Sequence, residues 1–312
     1  EKADEGWKNA KGHEEYDKTI LGASYETDLG NNWETVTAVF THYKNNDEPR
    51  PFDFLREQRF SYGGRHLTTF SPEVFNMQTS WTLGGEIFNE WYQRQTFANL
   101  SNQMGHPLAN TEQNRRYWNI FLRGKAEVTD RLTVSAGVNY NQTRYRLNDL
   151  LFPDTVAPGT PAYQNADQSG SHDFEPIWSP RVGVNYALTD QINVFASVSS
   201  GFSQPSVQET LNPAGALNPD IRPERGTSYE IGSRGTVDAL GLQYNISAYH
   251  MQVTDKLVPR RVDRDTYVGL NAGSTVHNGV EISLEGPDWI QRETGWFSGL
   301  NPFVQYSFQD FT

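Results

Sequence analysis

Long segments in which apolar and polar residues alternate constrain the fold of this chain more than any other feature. Residues 116–146 show the pattern on both sides of a short turn at Thr129-Asp130. The apolar side chains that share one face are Trp118, Ile120, Leu122, Ala126 and Val128, then Leu132, Val134, Ala136, Val138 and Tyr140. A period of two indicates strands, and a two-residue turn between such strands indicates an antiparallel hairpin.

The composition decides which kind of β protein this pattern indicates. Only 36% of the 312 residues are hydrophobic, and the sequence has no run of about 18 apolar residues that could form a membrane helix. Soluble β-sandwiches also alternate, but their strands are about half as long as these. Strands of about ten residues with one apolar and one polar face are typical of membrane barrels. We therefore predict an all-β chain that forms part of a transmembrane antiparallel up-and-down β-barrel, with long extracellular loops and short periplasmic turns.

Charge and cysteine content exclude several functions. The formal net charge of −12 argues against nucleic-acid binding, and a chain without cysteine has neither disulfides nor a thiolate metal site. Residues 1–15 are polar and charged and have no apolar core like that of a signal peptide. We expect the chain to start within mature sequence.

About twelve strands are predicted, mostly in pairs. They are 16–29 with 33–44, 76–83 with 86–97, 115–128 with 131–146, 179–188 with 191–202, 227–238 with 241–254, then 266–285 and 302–311. Polar loops are predicted at 45–75, 98–114, 147–177, 203–226 and 256–265, and turns at Gly30-Asn31-Asn32 and Gly84-Gly85. In the first pair the residues expected to share the apolar face are Leu21, Ala23, Tyr25, Val36, Ala38 and Phe40.

Several motifs in residues 178–285 occur in a fixed order. They are Trp178-Ser-Pro-Arg-Val-Gly-Val-Asn-Tyr186, Ile192-Asn-Val-Phe-Ala-Ser-Val-Ser-Ser-Gly-Phe-Ser-Gln-Pro205, Leu217-Asn-Pro-Asp-Ile-Arg-Pro-Glu224, Ser228-Tyr-Glu-Ile-Gly232 and Asn271-Ala-Gly-Ser-Thr-Val-His-Asn-Gly-Val-Glu281. This series resembles the TonB-dependent outer-membrane receptors. Each motif alone is weak, whereas five in register are specific.

The resemblance implies a 22-stranded barrel in the outer membrane of a Gram-negative bacterium, plugged by a globular domain. It implies energy from a TonB-ExbB-ExbD complex and contact with outer-membrane lipid. Residues 1–312 are then a partial barrel domain without the plug and the final strands. The expected cargo is a ferric siderophore or a similar small-molecule iron complex, and no covalently bound cofactor is expected.

Neither catalysis nor metal binding is indicated. The sequence has no zinc-protease, nucleophile-elbow or phosphate-loop motif, and its seven histidines are scattered without ligand spacing. We predict no catalytic residue, no metal site and no enzyme.

Arginines and aromatic residues cluster at positions 50–66, where guanidinium groups suit an anionic ligand and rings can stack on it. With residues from neighbouring segments, the predicted ligand-binding candidates are Arg50, Phe52, Arg59, Tyr62, Arg65, His66, Tyr92, Arg94, Tyr145 and Trp178. Two alternatives stay open. The arginines can instead pair with nearby acids on a solvated surface, and Tyr145, Phe152 and Trp178 can belong to an aromatic girdle.

Charged residues on the strands are expected to face the lumen or a plug domain. They are Arg123, Arg181, Glu230, Arg234 and Glu281, and some can pair with one another. Haem receptors of the family carry a histidine between two motifs that correspond here to Phe202–Pro205 and Asn218–Ile221, and residues 206–217 have none. Cobalamin, haem or oligosaccharide uptake, a passive porin channel and a surface adhesin remain alternatives.

Overall fold

A single antiparallel sheet, in which almost every strand pairs with its neighbour in the chain, dominates the structure. The computed structural model describes residues 12–151, 166–206, 209–212, 216–261, 267–287, 290–291 and 299–312. Its strands are β1 (Glu15–Gly30), β2 (Trp33–Pro49), β3 (Asp53–Phe70), β4 (Glu73–Val74), β5 (Met77–Asn99), β6 (Met104–Thr129), β7 (Leu132–Asp149), β8 (Gly170–Asp173), β9 (Ile177–Ala187), β10 (Ile192–Ser203), β11 (Glu224–Val237), β12 (Leu242–Thr254), β13 (Leu257–Arg261), β14 (Tyr267–Asn271), β15 (Ser274–Glu285), β16 (Ile290–Gln291), β17 (Gly299–Leu300) and β18 (Phe303–Phe311).

The up-and-down order is β1-β2-β3-β5-β6-β7-β9-β10-β11-β12-β15-β18. The short strands β4 and β8 attach to β5 and β7, whereas β13 with β14 and β16 with β17 form separate hairpins. No helix among the described residues is long and apolar enough to cross a membrane.

Most predicted hairpins are confirmed, but the N-terminal third differs from the prediction. The predicted loop 45–75 is wrong, because β3 pairs along its length with β2 and β5. The predicted loop 98–114 is also wrong, because β6 already begins at Met104. Segment 45–75 carries charge on both faces, and segment 98–114 carries uncharged polar residues on both, which hides the apolar alternation. The predicted strand 266–285 is two strands, β14 and β15, separated at Gly273, whose φ is 70°.

The predicted turn at Gly84-Gly85 is wrong, and both glycines lie inside the continuous strand β5. A Cβ at residue 84 would stand 2.6 Å from Cζ of Phe121, and one at residue 85 would stand 2.8 Å from the carbonyl oxygen of Asn119. These glycines therefore allow close approach of β6, which is the other common reason for glycine in a strand.

The predicted loops outside this region are partly described. Residues 152–165 of loop 147–177, with Phe152, lie outside the described residues, as do 207–208, 213–215 and 262–266. The connections 50–52 and 100–103 are tight turns at the ends of very long strands. These turns lie at the same end of the strands as the longer connections 150–176, 204–223 and 255–273, because consecutive strands alternate in direction.

Pairing register separates the sheet into an apolar face and a polar face. Val134 lies opposite Ala126 and Val184, and Ala196 lies opposite Val184 and Ile231. This apolar face is exposed in the structure, with large side chains such as Val182, Val198, Ile231 and Leu122 uncovered. It continues through β12, β15 and β18 by way of Ile246, Ile282 and Tyr306.

One part of the predicted apolar face is wrong. Tyr25 pairs with Thr37 and Ala23 pairs with Val39, so Val36, Ala38 and Phe40 lie on the polar face. Both faces of β2 carry apolar residues, Val39 and Tyr43 on one and Val36 and Phe40 on the other, so the alternation alone does not select the face. A register that differs by one residue moves a whole strand's side chains to the opposite face.

Aromatic residues border the apolar face at two heights. On β2 and β3, Trp33 stacks on Phe70 at 4.3 Å between ring centroids, and Tyr43 lies opposite Phe60 at the far end. Ten residues separate Trp33 from Tyr43, which at a strand tilt of about 40° corresponds to roughly 25 Å of height. An apolar band of about 25 Å between two aromatic girdles is the surface of a membrane barrel.

Candidate functional site

The polar face carries a cavity of about 700 Å³ on the side of the longer connections. Strands β5, β6 and β7 and the segment after β10 form its wall, including Glu86, Arg115, Asn119, Tyr145 and Gln204. This volume is within the usual range for small-molecule sites.

Glu90, the partner of the lining residue Arg115, has only 5% of its side chain exposed. It accepts hydrogen bonds from Nε, at 2.8 Å, and Nη2 of Arg115, which lies directly opposite on β6. Nε of Arg59 approaches the second carboxylate oxygen at 3.7 Å. Both arginines are thus drawn to one buried carboxylate, which neutralises much of their charge.

Glu86 has a similar arrangement four residues before Glu90 on β5, nearer the membrane. One carboxylate oxygen accepts from Arg65 Nε at 2.7 Å, and the other accepts from the hydroxyl of Tyr117 at 2.7 Å. The Tyr117 ring stacks on Phe88 with centroids 5.0 Å apart. The site therefore combines ion pairs with an aromatic surface.

Tyr92, which is 5% exposed, donates its hydroxyl proton to Glu57. Arg94 lies opposite Glu57 in the ladder, and its buried Nε has no hydrogen-bond partner among the described residues.

Tyr145 connects the cavity to the external segments. Its hydroxyl donates to the carbonyl oxygen of Pro205 at 2.7 Å, and its ring lies 5.8 Å below the guanidinium of Arg115. The ring also packs edge-on against Phe174 in a small buried cluster with Ile221. Three distant segments of the chain are thereby fixed around the cavity.

The predicted binding residues separate into three groups. Arg59, Arg65, Tyr92, Arg94 and Tyr145 lie together on the polar face. Arg50 and Phe52 lie at the β2–β3 turn, where Arg50 pairs with Asp53 at 2.6 Å and stacks over Phe52.

Tyr62, His66 and Trp178 lie on the opposite, apolar face. The register places Tyr62 beside Thr41, His66 beside Thr37 and Trp178 beside Tyr140. Trp178 is 62% exposed and contacts Tyr140, which contacts Trp118, so it belongs to an aromatic girdle. These three residues point away from the cavity, and we leave them out of the site.

All four arginines of the 50–66 cluster have carboxylate partners, which matches the alternative interpretation of that cluster. The remaining pair is Arg56 with Asp47, at 2.7 Å. The strand residues Arg123, Arg181, Glu230, Arg234 and Glu281 all lie on the polar face by register. None of these five forms an ion pair within the described part of the chain.

Sequence reasoning missed the carboxylates of the site. The sequence predicts a loop, 45–75, around Glu57 and a strand, 86–97, that contains Glu86 and Glu90. An even number of positions separates Glu57 from Arg59 and Arg65 on β3, and Glu86 and Glu90 from Tyr92 on β5. This spacing is the signal that places each set on one face of its strand. In the described ranges, no group of three histidine, aspartate or glutamate side chains is placed to hold a metal ion.

Comparisons with known proteins agree with this architecture. The sequence model described as TonB dependent receptor-like, beta-barrel, matches residues 2–312. The chain superposes on the siderophore receptor PiuA from Acinetobacter baumannii with a TM-score of 0.69 and 14% identity, over 98% of this chain and 48% of that one.

Two curated proteins are similar in sequence over part of the chain. The vitamin B12 transporter BtuB of Photobacterium profundum is 24% identical over 149 residues, covering 46% of this chain and 22% of that protein. The TonB-dependent heme receptor A of Haemophilus ducreyi is 26% identical over 148 residues, covering 42% and 18%. The matched part thus spans about a fifth of each curated relative.

Proposed function

This chain belongs to the TonB-dependent receptor family, whose β-barrel it forms in part, and we propose that the receptor imports a ferric siderophore or a similar iron complex. Members of this family are outer-membrane transport receptors and not enzymes. The cargo is proposed to bind on the polar face, in the cavity bounded by Glu86, Arg115 and Tyr145.

The observation that carries the proposal is the position of this cavity. It lies on the polar face and extends from the level of the girdle residues Trp118 and Tyr140 toward the long connections that face the outside in membrane barrels. A complex that arrives from outside would meet Tyr145 and Arg115 before it reaches Glu86 and Asn119. Aromatic rings and a few convergent polar groups are typical of small-molecule sites.

The proposal includes a location and a source of energy. The exposed apolar band between aromatic girdles suits contact with outer-membrane lipid, which supports a location in the outer membrane of a Gram-negative bacterium. The TonB-ExbB-ExbD complex is the proposed energising partner, through a plug domain inside the barrel. The unpaired Arg123, Arg181 and Glu230 on the polar face offer charges that such a plug could neutralise.

A second candidate is uptake of vitamin B12, supported by the 24% identity to BtuB over 149 residues. Haem is less well supported, because residues 206–217 contain no histidine. A passive porin would transport without TonB.

Uptake of radioactive iron tests the proposal in a strain that lacks its own receptors and expresses the full-length receptor. We expect uptake of at least one ferric siderophore that stops when TonB is deleted. Asn119→Trp, which fills the cavity, should reduce that uptake, whereas Ile120→Trp, the next residue on the apolar face, should not. Uptake of cyanocobalamin but of no iron complex would refute the iron assignment, and transport without TonB would indicate the porin.

A further inference from the structure

The polar-face charges that line the cavity are Glu86, Glu209 and Arg115, and they bear on the class of iron complex that can bind. Arg65, which does not line the cavity, is paired with Glu86. Arg115 is paired with Glu90, which Arg59 also approaches, and neither of these two lines the cavity. The one lining guanidinium of this face is therefore already bound to a carboxylate.

The remaining nearby charges do not change this balance. Arg94 and Glu57 lie opposite each other in the β3–β5 ladder and cancel. Arg116 also borders the cavity, but the register places it opposite Arg144 on the outward face of β6. A polyanionic ligand would thus meet no surplus of positive charge on this wall.

The wall instead offers neutral hydrogen-bonding residues. Asn139 and Gln204 line the cavity. A neutral ligand that brings N–H or O–H donors can bond to such groups without the cost of desolvating a charge. Neighbouring Asn119, Asn141 and Thr143 add further neutral polar groups.

We propose that this cavity selects an electrically neutral ferric complex with amide or hydroxyl donors, of the trihydroxamate class, over a ferric tris-catecholate. Three singly charged hydroxamates neutralise Fe³⁺, whereas three doubly charged catecholates leave three negative charges on the complex. The cavity-lining Glu209, which forms no ion pair among the described residues, repels such a trianion, whereas Glu86 is neutralised by Arg65. This inference rests on the proposed function of the same site.

Titration of the full-length receptor in detergent with a ferric trihydroxamate and with a ferric tris-catecholate tests the inference. We expect the neutral complex to bind at least about tenfold more tightly, since three charges at roughly 8 Å from one carboxylate interact by about 1.5 kcal/mol even in water. Glu209→Gln should shift the affinity ratio by about tenfold toward the tris-catecholate. The substitution keeps an oxygen to accept the backbone N–H of Ser206, now 2.7 Å from Oε2.

A matched control is Glu112→Gln, which removes a carboxylate from the outward face of β6 and should leave the ratio unchanged. Gln204→Met replaces an amide side chain of the cavity lining with an apolar side chain of similar size. We expect it to weaken trihydroxamate binding by about threefold to tenfold. Equal or tighter binding of the tris-catecholate by the unmodified receptor would overturn the inference but leave the proposed function standing. If neither iron complex binds to the folded receptor, the proposed function itself fails.

Discussion

Val182 provides a direct test of which face of the sheet meets lipid. It lies on β9 between Val198 and Ala136, and 55% of its surface is exposed. A strand that rises about 3.3 Å per residue at a tilt of about 40° descends roughly 2.5 Å per residue. Val182 follows the girdle residue Trp178 by four residues, which places it about 10 Å below the girdle and close to the middle of a band about 25 Å tall.

Val182→Arg should therefore lower the free energy of unfolding of the lipid-inserted receptor by about 2–4 kcal/mol, the cost of an arginine at the bilayer midplane. Leu188 lies on the same face about 25 Å below Trp178, at the far edge of the band. Leu188→Arg should cost only about 0–1 kcal/mol. Reversible urea unfolding of the receptor in lipid vesicles measures both values.

A third variant tests the polar face at a similar depth. Ser197 lies opposite Glu230 on that face, so Ser197→Arg gains a carboxylate neighbour and should be milder than Val182→Arg. The reasoning is refuted if Ser197→Arg is the more destabilising of the two, or if Leu188→Arg costs as much as Val182→Arg. Either result would mean that the exposed apolar face does not contact hydrocarbon.

Two further substitutions test packing within the sheet and the attachment of an external segment. Gly232→Ala should destabilise the barrel by about 1–3 kcal/mol in the same unfolding assay, because the new Cβ would stand 2.4 Å from Cζ of Phe195, whereas Gly201→Ala meets no atom within 4 Å and should be neutral. Tyr145→Phe removes the hydrogen bond to the carbonyl of Pro205 and should accelerate amide exchange in residues 204–212, with little change in β7. Unchanged exchange there would show that this bond does not hold the segment.

The agreement between predicted and observed strand number conceals two opposite errors. About twelve strands were expected and twelve follow one another in the sheet. The prediction omitted β3 and divided β5 into two strands at Gly84-Gly85. Glycine in a strand and glycine in a turn look alike in a sequence, and the contact with Phe121 that explains Gly84 is non-local.

Face assignments agree with the structure for most hairpins and fail for the first. The hairpins β6–β7 and β9–β10 have the predicted faces, and their connections, 130–131 and 188–191, are short. In the first hairpin, β2 carries apolar residues on both faces, Val39 and Tyr43 on one and Val36 and Phe40 on the other. The alternation alone therefore does not indicate which face of β2 continues the apolar face of β1.

For the candidate site, the sequence indicated the residue types but not their partners. Arginines and tyrosines of β3, β5 and β7 were recognised from their chemistry, including Arg59, Tyr92 and Tyr145. Their ion pairs depend on which strands are neighbours, and the sheet brings together residues such as Arg59 and Glu90 that lie far apart in sequence. The positive charge expected from the arginines of residues 50–66 is therefore balanced by carboxylates.

The length of β5 and β6 has a consequence for molecular recognition. With 23 and 26 residues, these strands continue well past the girdle at Trp118 and end in the four-residue turn 100–103. The surface they present beyond the girdle is a ladder of backbone hydrogen bonds. A visiting molecule would find that side already rigid, so little conformational entropy is lost there on encounter.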